Sequence, residues 1–282
     1  MGSGFSSFLL MCNSTTSAPV IPPEPGLGDL PESVVGSVLV YLNPQEICKL
    51  ASLNRAFRYA SSAEFVWESK LPKNYDLFIS RVFDNNKFSS TLCKKEIYAK
   101  LSAPSPIDGG TKKVWLDKGT GKACVLISSK GLAITGIDDR RYWSWISTEE
   151  SRFRSVAYLH QIWWFEVDGE VEFPFPSGTY TLLFRLQLGR SGRRFGRRVC
   201  HSDQVHGWDI KPVKFQLSTS DGQKAISQCY LTDPGKWNVY PVGDFVVEDS
   251  KVPMKIKFSM TQIDCTHTKG GLCVDSVLIC PK

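Results

Sequence analysis

The densest group of side chains able to engage a ligand runs from Asp138 to Trp145, where Tyr142, Trp143 and Trp145 lie beside Asp138, Asp139, Arg140 and Arg141. Aromatic rings next to charged groups suit a polyhydroxylated ligand such as a sugar. A pyranose has an apolar face of C–H groups that stacks on a ring, and its hydroxyls need a few fixed polar partners. If Arg141–Trp145 is extended, Trp143 and Trp145 share one face and Tyr142 opposes them. Large aromatics are also the usual core residues. Trp143 fits either role, and Trp145 reads as core. Trp163 and Trp164 are adjacent on a candidate strand, so one should point inward and the other outward.

Covalent and metal chemistry find no comparable pattern, and no catalytic residue or cofactor is expected. The four histidines (His160, His201, His206 and His267) lack metalloenzyme spacing, and no Ser/His/Asp or Cys/His arrangement can be assembled. GxGxxG and P-loop signatures are absent. Glycan hydrolysis needs two placed carboxylates; Glu166, Asp168, Glu170 and Glu172 alternate as a solvated strand face would. Cys265, His267, Cys273 and Cys280 match no common zinc spacing, so no metal site is expected. The nine cysteines are odd in number and scattered; Cys48 and Cys124 sit in element patterns as small hydrophobes would. That fits a reducing compartment better than a disulfide framework. Net charge is +6, which permits an acidic partner without demanding one. The basic run Arg190–Arg198 could touch RNA, but reads more simply as a solvated loop.

The elements come next. From Leu27 to Trp67 four short helices can be read from their caps. Asp29 can cap the first, with Pro31 and Glu32 in its opening turn. Asn43-Pro44-Gln45-Glu46 has the composition of a capping box. Asn54 can start a third helix, and Ser61 with Glu64 a fourth. Leu-Pro at 30–31, an apolar helix, Leu-x-Pro at 42–44, Ile-Cys-Lys-Leu-Ala at 47–51 and a late Trp resemble an F-box. That resemblance implies docking onto a Skp-type adaptor, and through it onto a cullin–RING ubiquitin ligase. Leu30, Pro31, Val35, Leu39, Leu42, Pro44, Ile47, Leu50 and Ala51 would face the adaptor.

Residues 1–26 are Gly-, Ser-, Thr- and Pro-rich, and are expected to be disordered. Met1-Gly2-Ser3-Gly4-Phe5-Ser6 fits the N-myristoylation pattern at Gly2, with Cys12 available for a second acyl chain. Membrane association is expected only if Gly2 is modified, because no run approaches a membrane span. Residues 68–102 look partly helical, and Ala103–Gly110 reads as a linker. Beyond Thr111 the period becomes two: Tyr180, Leu182, Phe184, Leu186 and Leu188 alternate with other residues, as do Val252, Met254, Ile256, Phe258 and Met260. Shorter candidates at 123–128, 131–135, 162–167, 170–173, 212–218, 226–231, 244–248 and 273–279 argue an antiparallel sandwich.

Leu132-Ala133-Ile134-Thr135, Arg141-Tyr142-Trp143-Ser144-Trp145, Ser151-Arg152-Phe153, Val156–Leu159 and Trp163–Gly169 carry a second resemblance. With the strand at 179–188, Val242–Phe245 and Gly271–Val277, they are similar to the phloem lectin domain of plants, the phloem protein two or Nictaba-like family. That similarity implies a jelly-roll sandwich that binds N-acetylglucosamine oligomers or N-glycan cores. Many lectin members continue Ile-Thr with a Trp, whereas here Gly136 follows Thr135.

The expected fold class is α+β and multidomain, an all-α F-box followed by an all-β antiparallel jelly-roll sandwich. The expected organisation is a disordered tail at 1–26, an F-box at 27–72, a connector and linker at 73–111, and a sandwich at 112–282. The expected role is a non-catalytic substrate-recognition subunit of a Skp–cullin–F-box ligase in nucleus and cytoplasm. Its partner would be a glycoprotein, or a protein surface recognised without sugar.

Overall fold

The computed structural model describes residue 26 and residues 29–83, 92–194, 197–201 and 204–282, with the backbone path alone for 191–194 and 197–201. Gly2 and Cys12 lie outside the described residues.

Among the described residues six α-helices come first: α1 (Glu32–Leu39), α2 (Pro44–Leu50), α3 (Arg55–Ala60), α4 (Glu64–Glu68), α5 (Tyr75–Val82) and α6 (Lys94–Leu101). The capping box of α2 forms as its sequence predicts. The Glu46 N–H donates to Asn43 Oδ1 at 2.9 Å, and the Asn43 N–H donates to the Glu46 carboxylate at 3.0 Å. Asn54 caps α3 by accepting from the Phe57 N–H at 2.9 Å. Two expected caps are not used. Asp29 accepts from the Gly26 N–H instead, and the N-cap position of α1 is Pro31. The N-cap position of α4 is Ala63, and the Ser61 hydroxyl donates back to the Arg58 carbonyl. Helices this short need tertiary support. They obtain it from buried Val35, Leu39, Ile47, Ala60, Val66 and Trp67, closed off by Tyr98 of α6, whose ring lies 5.3 Å from that of Trp67.

Two antiparallel sheets follow. The eight-stranded sheet is built on β15 (Leu272–Pro281). Along one edge β15 pairs with β6 (Ser155–Leu159) and then with β3 (Ala123–Ser128). Along the other it pairs with β8 (Gly178–Leu188), which pairs in turn with β13 (Trp237–Val247). Strands β2 (Lys112–Leu116) and β1 (Ser105–Ile107) continue beyond β3, and β5 (Trp143–Ser147) is the edge beyond β6. The five-stranded sheet has the order β12 (Lys224–Cys229), β11 (Val213–Thr219), β14 (Met254–Gln262), β7 (Phe165–Phe173), β4 (Ala133–Ile134). A separate hairpin joins β9 (Arg190–Arg194) to β10 (Arg197–His201).

The period-two reading places the core correctly except at Val252, which precedes β14 and is exposed. Tyr180, Leu182, Phe184, Leu186 and Leu188 of β8 are buried, as are Met254, Ile256, Phe258 and Met260 of β14. Phe184 joins the two sheets, with Phe215 at 5.5 Å and Phe258 at 5.9 Å between ring centroids. Three strand bounds differ from expectation. The candidates 162–167 and 170–173 are one strand, β7; 244–248 is the end of the eleven-residue β13; and 131–135 pairs only at Ala133–Ile134.

The stretch expected as a linker also differs. Ser105–Ile107 is β1, turned back onto β2 through Asp108-Gly109-Gly110, all three at positive φ. Asp108 fixes that turn by ion pairs to Lys112 (2.7 Å) and to Arg81 of α5 (3.1 Å). The helical layer packs directly on the sandwich. Phe78 of α5 is fully buried edge-on against Phe173 at 5.3 Å, and Asn74 donates to the carbonyls of Pro174 and Ser250.

Candidate functional site

Among the described residues, two surfaces carry the side chains singled out from the sequence. The first is on the helices. α1 is apolar on more than one side, so one stripe meets its own core and the next does not. Val35 and Leu39, four residues apart, are buried, and so is Ile47 of α2. This corrects the expectation that these three face a partner: they hold the short helices together. The adjacent stripe is outward, with Val34 at 45%, Val38 at 51% and Tyr41 at 90% exposure, beside exposed Leu30 and Pro31. Leu42, Pro44, Leu50 and Ala51 are half-buried, Leu42 and Leu50 packing against the core. Lys70 ties the end of α1 to the layer by donating to the Val40 carbonyl, and burial lowers the pKa of that amine.

The second surface is the loop from β4 to β5. Trp143 is 1% exposed; its Nε1–H donates to the Thr135 carbonyl at 3.0 Å and its ring stacks on Phe165. Phe165 in turn meets Trp208 edge-on at 5.0 Å. Trp143 is therefore core, and no sugar ring can reach its face. Trp145 reverses the expectation in the other direction. It shares the strand face of Trp143 but is 43% exposed, with the Lys130 ammonium 5.5 Å from its ring centroid. Tyr142 is half-buried, with the Arg141 guanidinium 5.5 Å from its ring. Asp139 and Arg141 satisfy each other: Nε donates to both carboxylate oxygens at 3.1 Å, Nη2 donates to Oδ2 at 2.7 Å, and the Arg141 backbone N–H donates to Oδ1 at 2.9 Å. These bonds hold the Asp139 carboxyl below the usual carboxylate range. Asp138 is exposed. Gly136 adopts φ 76°, and a Cβ there would sit 3.3 Å from Tyr142 Cδ2, so this turn is built for glycine and not for an aromatic wall.

Trp163 and Trp164 are both exposed, against the expectation of one in and one out, because they precede β7 rather than lying within it. Their loop is anchored by Lys269, which is fully buried and donates to the carbonyls of Trp163 (2.8 Å) and Gln262 (2.9 Å). Burial lowers the pKa of this amine. Glu166, Asp168, Glu170 and Glu172 occupy the outward positions of β7, alternating with buried Phe165, Val167, Val171 and Phe173. Cys273 and Cys280 lie seven residues apart along β15, about 23 Å in an extended strand. Residues 190–194 and 197–201 of the basic stretch are hairpin backbone; the side chains from 191 to 201 lie outside the described residues.

This arrangement defines a class: a two-sheet antiparallel sandwich that carries a helical layer with an outward apolar stripe. The chain belongs to the plant F-box/phloem protein 2 family, whose phloem protein 2 profile matches residues 122–281. It is 63% identical over 257 residues to F-box protein PP2-A13 of Arabidopsis thaliana, covering 91% of this chain and 88% of that protein. It is 58% identical over 283 residues to F-box protein PP2-A11 of the same plant, covering 100% and 97%. A family 35 carbohydrate-binding module from Clostridium thermocellum overlaps loosely, at 13% identity and TM-score 0.34, over 56% of this chain and 98% of that one.

Proposed function

We propose that the chain is a non-catalytic recruiting subunit of a Skp–cullin–F-box ubiquitin ligase, acting in nucleus and cytoplasm. The helical layer docks the Skp-type adaptor, and the sandwich holds the target near the transferred ubiquitin, raising its effective concentration. The observation that carries this reading is the outward stripe Val34, Val38 and Tyr41 beside Leu30 and Pro31. It lies on helices whose own core is already filled by Val35, Leu39 and Ile47. Leu42, Pro44, Leu50 and Ala51 keep part of their surface uncovered for the same contact. The F-box names of the relatives point the same way.

For glycan-bearing targets, Trp145 is an exposed ring available to stack on an N-acetylglucosamine unit, with the Lys130 ammonium against its ring. Titration calorimetry of the purified chain with a Skp-type adaptor tests the docking reading. Changing Leu30 and Pro31 together to Ala, or Val34 and Val38 together to Lys, removes central apolar contacts worth a few kcal/mol and should weaken association by orders of magnitude. Equal affinity for wild type and both double variants would refute it.

A further inference from the structure

Strand β3 lies between β2 and β15, and the hydrogen bonds on either side decide how its residues face their neighbours. The Asp117 N–H donates to the Lys122 carbonyl at 2.7 Å, and the Ser128 N–H to the Thr111 carbonyl at 2.9 Å. Lys122, Cys124, Leu126 and Ser128 therefore turn their backbone polar groups toward β2. On the far side of β15 the Lys282 N–H donates to the Thr179 carbonyl at 3.1 Å, so Cys280 turns its own toward β8. The register of β15 against β8 slips in a bulge at Asp275, between Val274 and Ser276, and is regular from Ser276 to Pro281. Against β3 it runs from Ser276–Ser128 to Ile279–Val125. The next rung sets Cys280 opposite Cys124. Their backbone groups point away from each other, which makes this a non-hydrogen-bonded pair, with Cα atoms about 4.5 Å apart and side chains on one face. A disulfide accepts Cα separations of about 4.4–6.8 Å. Pro281 has no N–H to give to β3, so the ladder beyond this rung lacks that donor and the pair is free to close.

Val125 and Ile279, the next residues on the two strands, point into the core and are fully buried, so the two cysteines lie on the outer face of the sheet. There they continue a row from Trp115 on β2 to Thr181 on β8. Cys124 is 4% exposed and Cys280 is half-buried. Burial pushes the Cys124 thiol up to about 12, and the neighbouring Cys280 adds to the rise. Burial raises Cys280 as well, with the Asp117 carboxylate acting in the same direction. Both thiols are therefore protonated near neutral pH, and they resist brief contact with oxidant. Cys48 on α2, Cys93 at the cap of α6, Cys229 on β12 and Cys273 farther back along β15 sit on other elements or rungs.

We propose that Cys124 and Cys280 are an oxidative modification site, which closes to a cross-strand disulfide when the surrounding glutathione pool becomes oxidised. The half-buried Cys280 reacts first. Its thiolate attacks oxidised glutathione, a new sulfur–sulfur bond forms as the old one breaks, and one glutathione thiolate leaves. The Cys124 sulfur then attacks the Cys280 sulfur, and the second glutathione thiolate leaves. Each departing thiolate takes up one of the two protons that the cysteines lose. Two protein thiols and one oxidised glutathione thus become one protein disulfide and two glutathione thiols. Capping Cys280 also removes the charge that opposes ionisation of Cys124. The bridge ties the C-terminal end of β15 to β3 across most of the length of the sandwich, and cross-links that close long loops restrict the unfolded chain most. It needs neither adaptor nor target.

The full chain, reduced and then freed of reductant, is incubated with oxidised glutathione. Remaining thiols are blocked before non-reducing tryptic digestion and mass spectrometry. The expected product is a cross-link between residues 123–130, which carry Cys124, and residues 270–282, with fragmentation placing the bond on Cys280 rather than Cys273. Cys280→Ser should lose that cross-link, and Cys124→Ser should stop at a glutathione adduct on Cys280. Oxidised wild type should melt about 5 °C or more above reduced wild type, a shift that Cys280→Ser lacks. Cys280 is half-buried near the end of its strand, so Cys280→Ser decides the matter should Cys124→Ser fold poorly. In urea the same treatment should give a mixture of pairs, since the register that selects this one is gone. A folded wild type that stops at the Cys280 adduct, takes up no glutathione, or couples other cysteines instead overturns the proposal. So does a cross-linked protein that melts no higher than the reduced one.

Discussion

Replacing Trp143 with Ala separates its two conceivable roles, because a stacking platform and a core residue fail differently. The indole is 1% exposed, packs on Phe165, and donates to the Thr135 carbonyl. Truncating a buried aromatic of this size costs about 3–5 kcal/mol through lost transfer energy and the cavity left behind. In a cooperative unit of this length each kcal/mol lowers the melting temperature by about 2–4 °C, so the midpoint should fall by roughly 6–20 °C. Trp143→Phe keeps most of the packing and gives up the Nε1 hydrogen bond. Because Thr135 is exposed, water can replace that donor, and the extra cost should be about 1 kcal/mol. Trp145→Ala removes a side chain that is 43% exposed and should cost less than either. Circular dichroism melts of the three variants and wild type supply the ordering. A Trp143→Ala midpoint within about 2 °C of wild type would refute the assignment of Trp143 to the core. Any sugar affinity lost in Trp143→Ala must then be compared at equal folded fraction, or unfolding will be mistaken for a missing contact.

Gly136→Ala should destabilise by about 1–2 kcal/mol, since φ 76° is left-handed backbone and the new Cβ crowds Tyr142. An unchanged or higher midpoint would show that the turn relaxes, and Gly136→Trp would inherit the same strain. Asn43→Ala removes one half of the α2 capping box and should cost about 1 kcal/mol in chemical denaturation, while Asn43→Asp should retain most of it. Lys269 tests linkage. Its folded pKa lies below the unfolded value, so the unfolded chain binds more protons between the two, and stability rises with pH across that window. Wild type should therefore gain stability relative to Lys269→Met as pH climbs from the lowered value toward 10.5; parallel curves for the two proteins would contradict the burial of a charged amine.

What the sequence reveals here is whatever is local. The Asn43–Glu46 box is readable because both partners lie within one turn, and β8 and β14 are readable because period two repeats over nine or more residues. The choice between Trp143 and Trp145 is not local. Period two puts both on one face, and only the arrival of Phe165 and Trp208 from distant parts of the chain buries the first and spares the second. The same holds for α1, where Val34/Val38 and Val35/Leu39 are equivalent stripes until α3 and α4 settle on one of them. Pro and Gly in 103–110 signalled a break, and the turn is there, but the short strand it closes carries no periodicity to read. The bulge at Asp275 leaves no sequence signal, because a register slip belongs to the pairing and not to either strand.

The position of β15 governs how the sandwich comes into being. It is the last strand of the sheet in sequence, yet it lies at the centre, bonded to β3, β6 and β8. Val125 waits for Ile279 and Leu159 for Leu272. No closed eight-stranded sheet can exist until residues 272–281 have been synthesised. Until then β3 and β6 lack the neighbour that separates them from β8, and their edges are open to other chains. Long sequence separations of this kind make folding slow. A nascent chain that has already formed its helical layer must therefore hold an incomplete sandwich for the whole time that the remaining strands emerge, and this interval is when the protein is most exposed to misassembly.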